Sequence, residues 1–155
     1  MRGPFPALAG IAIAALGALT AYADELDGPL KAAKLWGGPF AANCTMPASI
    51  YNWYATITDL EGAPTITWFP GPEHPNNVYV VKAVKVLDDG SLQVTQELQR
   101  DHAISETVYA FRPDHSAFRP MSIHVKHGSI EDTVADKGVF VKSRQPTPWY
   151  VGCKS

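Results

Sequence analysis

The chain has 155 residues, a formal net charge of −2, and hydrophobic side chains at 46% of its positions. So mildly acidic a chain lacks the basic surface on which non-specific nucleic-acid binding depends, and we expect no nucleic-acid partner. After residue 23 no apolar run approaches the roughly 20 residues that a membrane-spanning helix needs, so we expect no membrane span in the mature chain.

Residues 1–23 are predicted to be a secretory signal peptide. Arg2 supplies a positive charge, an uncharged run rich in Ala, Leu and Ile follows, and Ala21-Tyr22-Ala23 has the form of an A-x-A cleavage site. The apolar run is too short to be a membrane anchor. We therefore expect cleavage after Ala23 and a protein that is secreted or periplasmic.

Residues 24–49 are predicted to be a mostly irregular N-terminal segment. Its apolar positions, which include Leu30 and Leu35, allow one or two helical turns, and Gly37-Gly38-Pro39 is expected to end them.

The chain has two cysteines, Cys44 and Cys153, at opposite ends of the predicted mature domain. In an exported protein such a distant pair predicts a disulfide that joins the N- and C-terminal segments rather than a metal or redox pair. Asn43 matches the N-x-S/T glycosylation acceptor pattern. We interpret that match as accidental, because Cys44 beside it is predicted to be disulfide-bonded.

Residues 50–155 carry the pattern of an antiparallel β domain. Short stretches rich in β-branched and aromatic residues alternate with Gly, Pro, Asn and Asp turn signals, and no helical periodicity is sustained. The predicted strands are 51–58, 65–69, 78–87, 92–99, 104–112, 121–126, 130–134, 139–142 and 149–153. The pattern predicts a single small all-β domain, either a barrel or a sandwich of about eight strands, clasped by the terminal disulfide.

The strand 78–87 has apolar residues on both faces, each interrupted by a lysine. Lys82 and Lys85 are an odd number of residues apart, so a regular strand would point one of them inward. We favour a β-bulge near Lys82, which sends both lysines outward and curves the sheet toward barrel closure. The inner face would then carry Tyr79, Val81, Val84 and Val86. In the alternative, a regular strand places one lysine in a cavity, paired with Glu97, Glu106 or an anionic ligand.

The sequence carries no catalytic or metal-binding signature. His124 and His127 would face opposite ways on a strand, so we assign no metal site and no cofactor. Neither a G-x-S-x-G motif nor a Gly-rich phosphate loop is present. Glu97, Asp101 and His102 could converge at one hairpin end, which leaves an enzyme as the third functional hypothesis behind two kinds of binding protein.

The chain is rich in aromatic residues, with four Trp, six Tyr and six Phe, most of them in the predicted β domain. Many of them are expected to pack the core, but they are also suited to lining a cavity for a small apolar ligand. The lining candidates are Trp53, Trp68, Tyr79, Val81 and Phe111.

The first functional hypothesis is an exported binding protein that holds a small apolar or amphipathic ligand in this β cavity, with the loop 70–77 at its rim. The second is a non-enzymatic, secreted or envelope protein-interaction module with a filled core. Such a module would recognise a protein partner through exposed aromatic residues and the Pro-rich loop.

In outline, a signal peptide followed by a disulfide-clasped antiparallel β domain with an early tryptophan resembles the lipocalin-like barrels. The G-x-W hallmark of lipocalins is not present, because Leu35-Trp36-Gly37 has the reverse order. No residue takes a role from this resemblance.

Overall fold

The computed structural model describes residues 25–154, so the predicted signal peptide lies outside the described residues. Residues 25–32 are helical and are called α1. Ten strands follow: β1 (Gly37–Ala41), β2 (Tyr54–Leu60), β3 (Ala63–Phe69), β4 (Asn77–Val86), β5 (Leu92–Leu98), β6 (Ile104–Phe111), β7 (Ala117–His127), β8 (Ile130–Asp136), β9 (Val139–Phe140) and β10 (Tyr150–Gly152).

The strands close into an antiparallel barrel. Strands β1 to β7 pair in sequence order, and β10 pairs with both β1 and β7, which gives a closed barrel of eight strands. The closing pairs are Phe40 with Gly152 and Tyr150 with Phe118. The predicted all-β class is confirmed, and of the two predicted architectures the chain adopts the barrel.

Strands β8 and β9 extend the wall beside the short β10. The first residues of β7 pair with β10, whereas its second half, from Ile123 to His127, pairs with β8. Two hydrogen bonds fasten the segment after β8 to β7: the Gly138 amide donates to Met121 O at 2.7 Å, and the Thr147 hydroxyl donates to Pro120 O at 2.7 Å.

The predicted bulge in β4 is confirmed. The register between β4 and β5 shifts between Val81 and Ala83, and both Lys82 and Lys85 are exposed. Val81 is buried in the core, with Tyr79 and Val84 packed against it. Val86 pairs with the buried Leu92, but it is 58% exposed because it lies at the end of the hairpin.

The N-terminal segment is more regular than predicted. The apolar residues of α1 and the turn after it are buried, and Leu30 is fully inaccessible to solvent. The Lys34 ammonium donates to Asp114 O at 3.5 Å, which places α1 at the barrel end that holds the β6–β7 turn. Helix α1 therefore plugs this end, a role that its two turns were too short to reveal as periodicity.

Gly37-Gly38-Pro39, predicted to end a helix, instead lies in β1, which pairs with β2 and β10. Gly38 has a φ of +108°, and a Cβ there would lie 2.8 Å from Ala55 O. The close approach of β1 to β2 at an irregularity in their register therefore requires glycine.

The predicted disulfide between Cys44 and Cys153 is present, with the two Cα atoms 5.4 Å apart. Beside it, the Cys153 amide donates to Pro39 O at 2.8 Å. The bond joins the loop after β1 to the residue that follows β10, at the seam where the barrel closes. Within residues 25–154 no helix is long and apolar enough to span a membrane.

Candidate ligand cavity

The barrel interior is filled at one end and hollow at the other. Near α1 a cluster of buried side chains packs the interior, with Leu30, Leu35, Phe40, Ile66, Val94 and Phe118 among its members. Toward the other end, which carries the loop 42–53, a cavity of about 450 Å³ remains. No side chain of residues 25–37 lines it, so the plug and the cavity are separate.

The cavity walls are mainly aromatic and aliphatic. The aromatic lining consists of Tyr51, Trp53, Trp68, Tyr79, Tyr109, Phe140 and Tyr150. The aliphatic lining consists of Ala42, Ile50, Pro120, Ile123, Val125, Val134 and Pro148. The remaining lining residues are Asn77, Gln96, Ser105 and Thr107. A mostly apolar surface with a few placed polar groups is typical of small-molecule sites.

Three of the polar residues stand side by side on β5 and β6. Along β5 every second residue points inward, so Gln96 continues the inward row that starts with Leu92 and Val94. Gln96 pairs with Ser105 across the two strands, and Val94 pairs with Thr107. Together with Tyr109, these residues form what we call the polar wall: Gln96, Ser105, Thr107 and Tyr109.

The polar wall is buried and only partly hydrogen-bonded. The hydroxyl oxygens of Ser105 and Thr107 lie 3.2 Å apart, and the Tyr109 phenol interacts with Thr107 and Gln96. Gln96 is only 3% exposed, and its Oε1 has no hydrogen-bond partner. A buried acceptor left unpaired is uncommon in native proteins and requires an explanation.

The buried phenols of Tyr79, Tyr109 and Tyr150, which line the cavity, are neutral. Burial, and secondarily the neighbouring Tyr150 and Tyr79, raise the pKa of Tyr109 far above its ordinary value. Burial also raises the pKa of Tyr150 to about 12 and, to a lesser extent, that of Tyr79. Among the described residues that line the cavity, none is Asp, Glu, Lys, Arg or His. The site is therefore uncharged but retains hydrogen-bonding groups.

The loop 42–53 shapes the mouth of the cavity. Asn52, which is 3% exposed, ties the loop together, because its side chain accepts from the Asn43 amide at 3.1 Å and donates to Asn43 O at 2.9 Å. The Trp53 indole donates to Ile50 O at 2.9 Å. Tyr51 at the edge is 89% exposed. Of the predicted rim loop 70–77, Asn77 reaches the cavity.

The structure distributes the five lining candidates between the two ends. Trp53, Trp68 and Tyr79 line the cavity, and Trp68 packs edge-to-face on Tyr150 with ring centroids 5.0 Å apart. Val81 is buried in the core, and Phe111 packs against the core beside His115 of the β6–β7 turn. Alternation along a strand gives the face of a residue but not its depth along the barrel axis.

Sequence reasoning missed the polar wall. Its signal was present, because Gln96, Ser105 and Thr107 occupy the inward positions of strands whose other inward positions are apolar. Polar residues at such positions indicate either a buried network or a site.

The acidic and histidine residues that suggested an enzyme lie outside the cavity. Glu97 Oε1 is 2.6 Å from His102 Nδ1, and its Oε2 is 3.0 Å from the Lys82 ammonium. The His102 contact first, and then Lys82, lower the pKa of Glu97. Asp101 instead accepts from the Ala103 amide at 3.0 Å. This is a network on the outer face of β4 and β5, with His102 79% exposed.

No group of three or more His, Cys, Asp or Glu side chains within residues 25–154 is arranged to hold a metal ion. Comparison of the chain with protein-family models, with curated proteins and with solved structures gave no match in any of the three.

Proposed function

We propose that this protein is an exported binding protein that holds a small apolar or amphipathic ligand in the barrel cavity. The cavity carries the proposal: its volume of about 450 Å³ lies in the range of small-molecule sites. The disulfide supports export to an oxidising compartment, where such bonds persist.

The space inside the barrel favours a ligand bound in the interior over a partner bound on the outer surface. Protein interiors are normally packed to the density of organic crystals, so a space of about 450 Å³ between the side chains of one barrel end is an exception that a bound molecule would explain. The aromatic rings of Trp68, Tyr79 and Tyr150 offer flat apolar surfaces that a ligand can cover.

The proposal is tested by native mass spectrometry of protein purified from the exported fraction of its own host, beside the same sample denatured without reductant. We expect an additional mass that disappears on denaturation. A bare chain would contradict the proposal. Ile123→Trp, which adds bulk at a cavity-lining position, should abolish the additional mass. Ser122→Trp is the matched control, because Ser122 is the adjacent residue of β7 and is not among the lining residues.

The loop 42–53 supports a second candidate function, the protein-interaction module. Three of its large side chains are exposed, namely Met46 at 48%, Ile50 at 49% and Tyr51 at 89%. Exposed apolar groups concentrated in one loop are a feature of recognition surfaces. The cavity argues against the filled core that this hypothesis assumed. Co-purification of a protein partner that is lost in Tyr51→Ser, together with a bare chain in native mass spectrometry, would favour the module.

A further inference from the structure

We infer that the ligand is an uncharged amphipathic molecule whose polar end, a hydroxyl or an N–H group, donates a hydrogen bond to Oε1 of Gln96. This inference rests on the proposed binding function and narrows its ligand class. It excludes fatty acids and other anions, alkyl ammonium ions, and molecules whose polar end only accepts hydrogen bonds.

The cavity-lining residue Gln96 has a side-chain oxygen without a hydrogen-bond partner. Its side chain lines the cavity and is only 3% exposed, and Oε1 has no partner. An amide oxygen can only accept a hydrogen bond. A ligand that supplies a donor at this point completes the polar wall, whereas one that lacks a donor leaves a buried acceptor unpaired, which is unfavourable.

Two hydroxyl groups of the polar wall lie on the strand next to Gln96. Gln96 pairs with Ser105 on β6, and the Ser105 and Thr107 hydroxyls lie 3.2 Å apart and share one hydrogen bond. Hydroxyl groups rotate and both donate and accept. A ligand hydroxyl can therefore donate to Gln96 and accept from a neighbouring hydroxyl of the wall at the same time.

The described residues that line the cavity carry no charged side chain. An ion that enters such a site loses its hydration without gaining an opposite charge, and this cost is large. Both lysines of β4 are exposed, and Lys82 pairs with Glu97 on the outer face. The β4 bulge thus removes the side chains that would have favoured an anion.

The size of the cavity limits the apolar part. At about 30 Å³ for each water-sized group, 450 Å³ holds about 15 such groups. A ten-carbon chain with one polar group is smaller than this limit, so decyl compounds are suitable probes. Trp53 and Trp68 line the cavity and report binding through their fluorescence.

The experiment compares three probes on the whole mature protein: decyl alcohol, decyl methyl ether and decanoate, the last at a pH at which it is ionised. Each probe is titrated by tryptophan fluorescence after any bound material has been removed. We expect the alcohol to bind about tenfold more tightly than the ether, the effect of one hydrogen bond, and decanoate to bind most weakly.

A pair of variants on the same strand locates the effect. In Gln96→Leu the alcohol and the ether should bind equally, because the acceptor is gone. Gln93→Leu changes the same residue type on β5 at a position that does not line the cavity, and the tenfold preference should persist. If Gln96→Leu does not fold, the three probes on the unmodified protein still decide the question.

The outcomes distinguish a failure of this inference from a failure of the proposed binding function. Equal binding of the alcohol and the ether, or tightest binding of decanoate, would overturn the inference and leave the binding function standing. If none of the three probes binds, the inference fails. If native mass spectrometry then also shows a bare chain, the proposed function fails with it.

Discussion

The helical plug gives the sharpest test of the fold. Leu30 of α1 is fully buried in the core cluster, and Leu30→Ala removes three carbon groups from it. At about 0.8 kcal/mol for each group the transfer contribution is about 2.4 kcal/mol, and the cavity left behind brings the expected range to about 2–5 kcal/mol. We expect about 3 kcal/mol, since α1 has only two turns and can move partly into the space.

The assay is urea unfolding of the protein with its disulfide intact, followed by tryptophan fluorescence. Leu60→Ala at the end of β2 is the matched control, because Leu60 is 46% exposed and its loss should cost less than about 1 kcal/mol. Equal losses for the two variants would refute the assignment of α1 as part of the core. Because α1 contributes nothing to the cavity lining, folded Leu30→Ala should retain ligand binding.

Three further predictions concern the disulfide at the barrel closure, the buried phenol of Tyr150, and Gly38 of β1. Replacing Cys44 and Cys153 together by Ser should lower the free energy of unfolding by about 4.7 kcal/mol, since the bond spans 109 residues; a urea-unfolding difference below about 1 kcal/mol would contradict this. Because the folded-state pKa of Tyr150 is raised to about 12, the unfolded chain ionises first, and stability should fall between pH 10 and 12 by up to about 1.4 kcal/mol per pH unit for this residue. Tyr150→Phe should remove that part of the decline in alkaline unfolding curves, and an unchanged curve would count against the assigned burial. Gly38→Ala should cost about 1–3 kcal/mol because of its positive φ and the contact with Ala55 O, whereas Gly128→Ala, which also has a positive φ, +61°, but meets nothing within 4 Å, should cost less in thermal unfolding.

The sequence was most informative where the local pattern and the tertiary environment agree. All nine strands predicted after residue 50 are present in order as β2 to β10, and the lysine spacing in β4 located the bulge. Strand β7 starts at Ala117, although the prediction began it at residue 121. Pro120 lies within the strand, at the register shift opposite Tyr109. A proline inside a strand weakens the local signal for one.

The remaining features depend on contacts that no local pattern encodes. Helix α1 is too short to be stable by itself, and it is held by the barrel end that it covers. Strand β1 begins with two glycines and a proline, which local propensity assigns to a turn. The depth of Val81 and Phe111 along the barrel axis depends on strand tilt and on where α1 fills the interior, so candidates with the correct face were divided between the core and the cavity.

The cavity and the polar wall arise from the same residues. On β5 and β6 the inward positions near α1 carry Leu92, Val94 and Tyr109, which belong to the core cluster, and Tyr109 also borders the cavity; the next positions toward the mouth carry Gln96, Ser105 and Thr107. Serine and threonine are smaller than the leucine or phenylalanine that would pack there, so the same residues that make the wall polar also leave space in front of it. A sequence selected for stability alone would place apolar residues at these positions, since unpaired buried polar groups are destabilising. Small side-chain volume and hydrogen-bonding capacity occur together at these positions, which we expect of a binding site rather than of a packing defect.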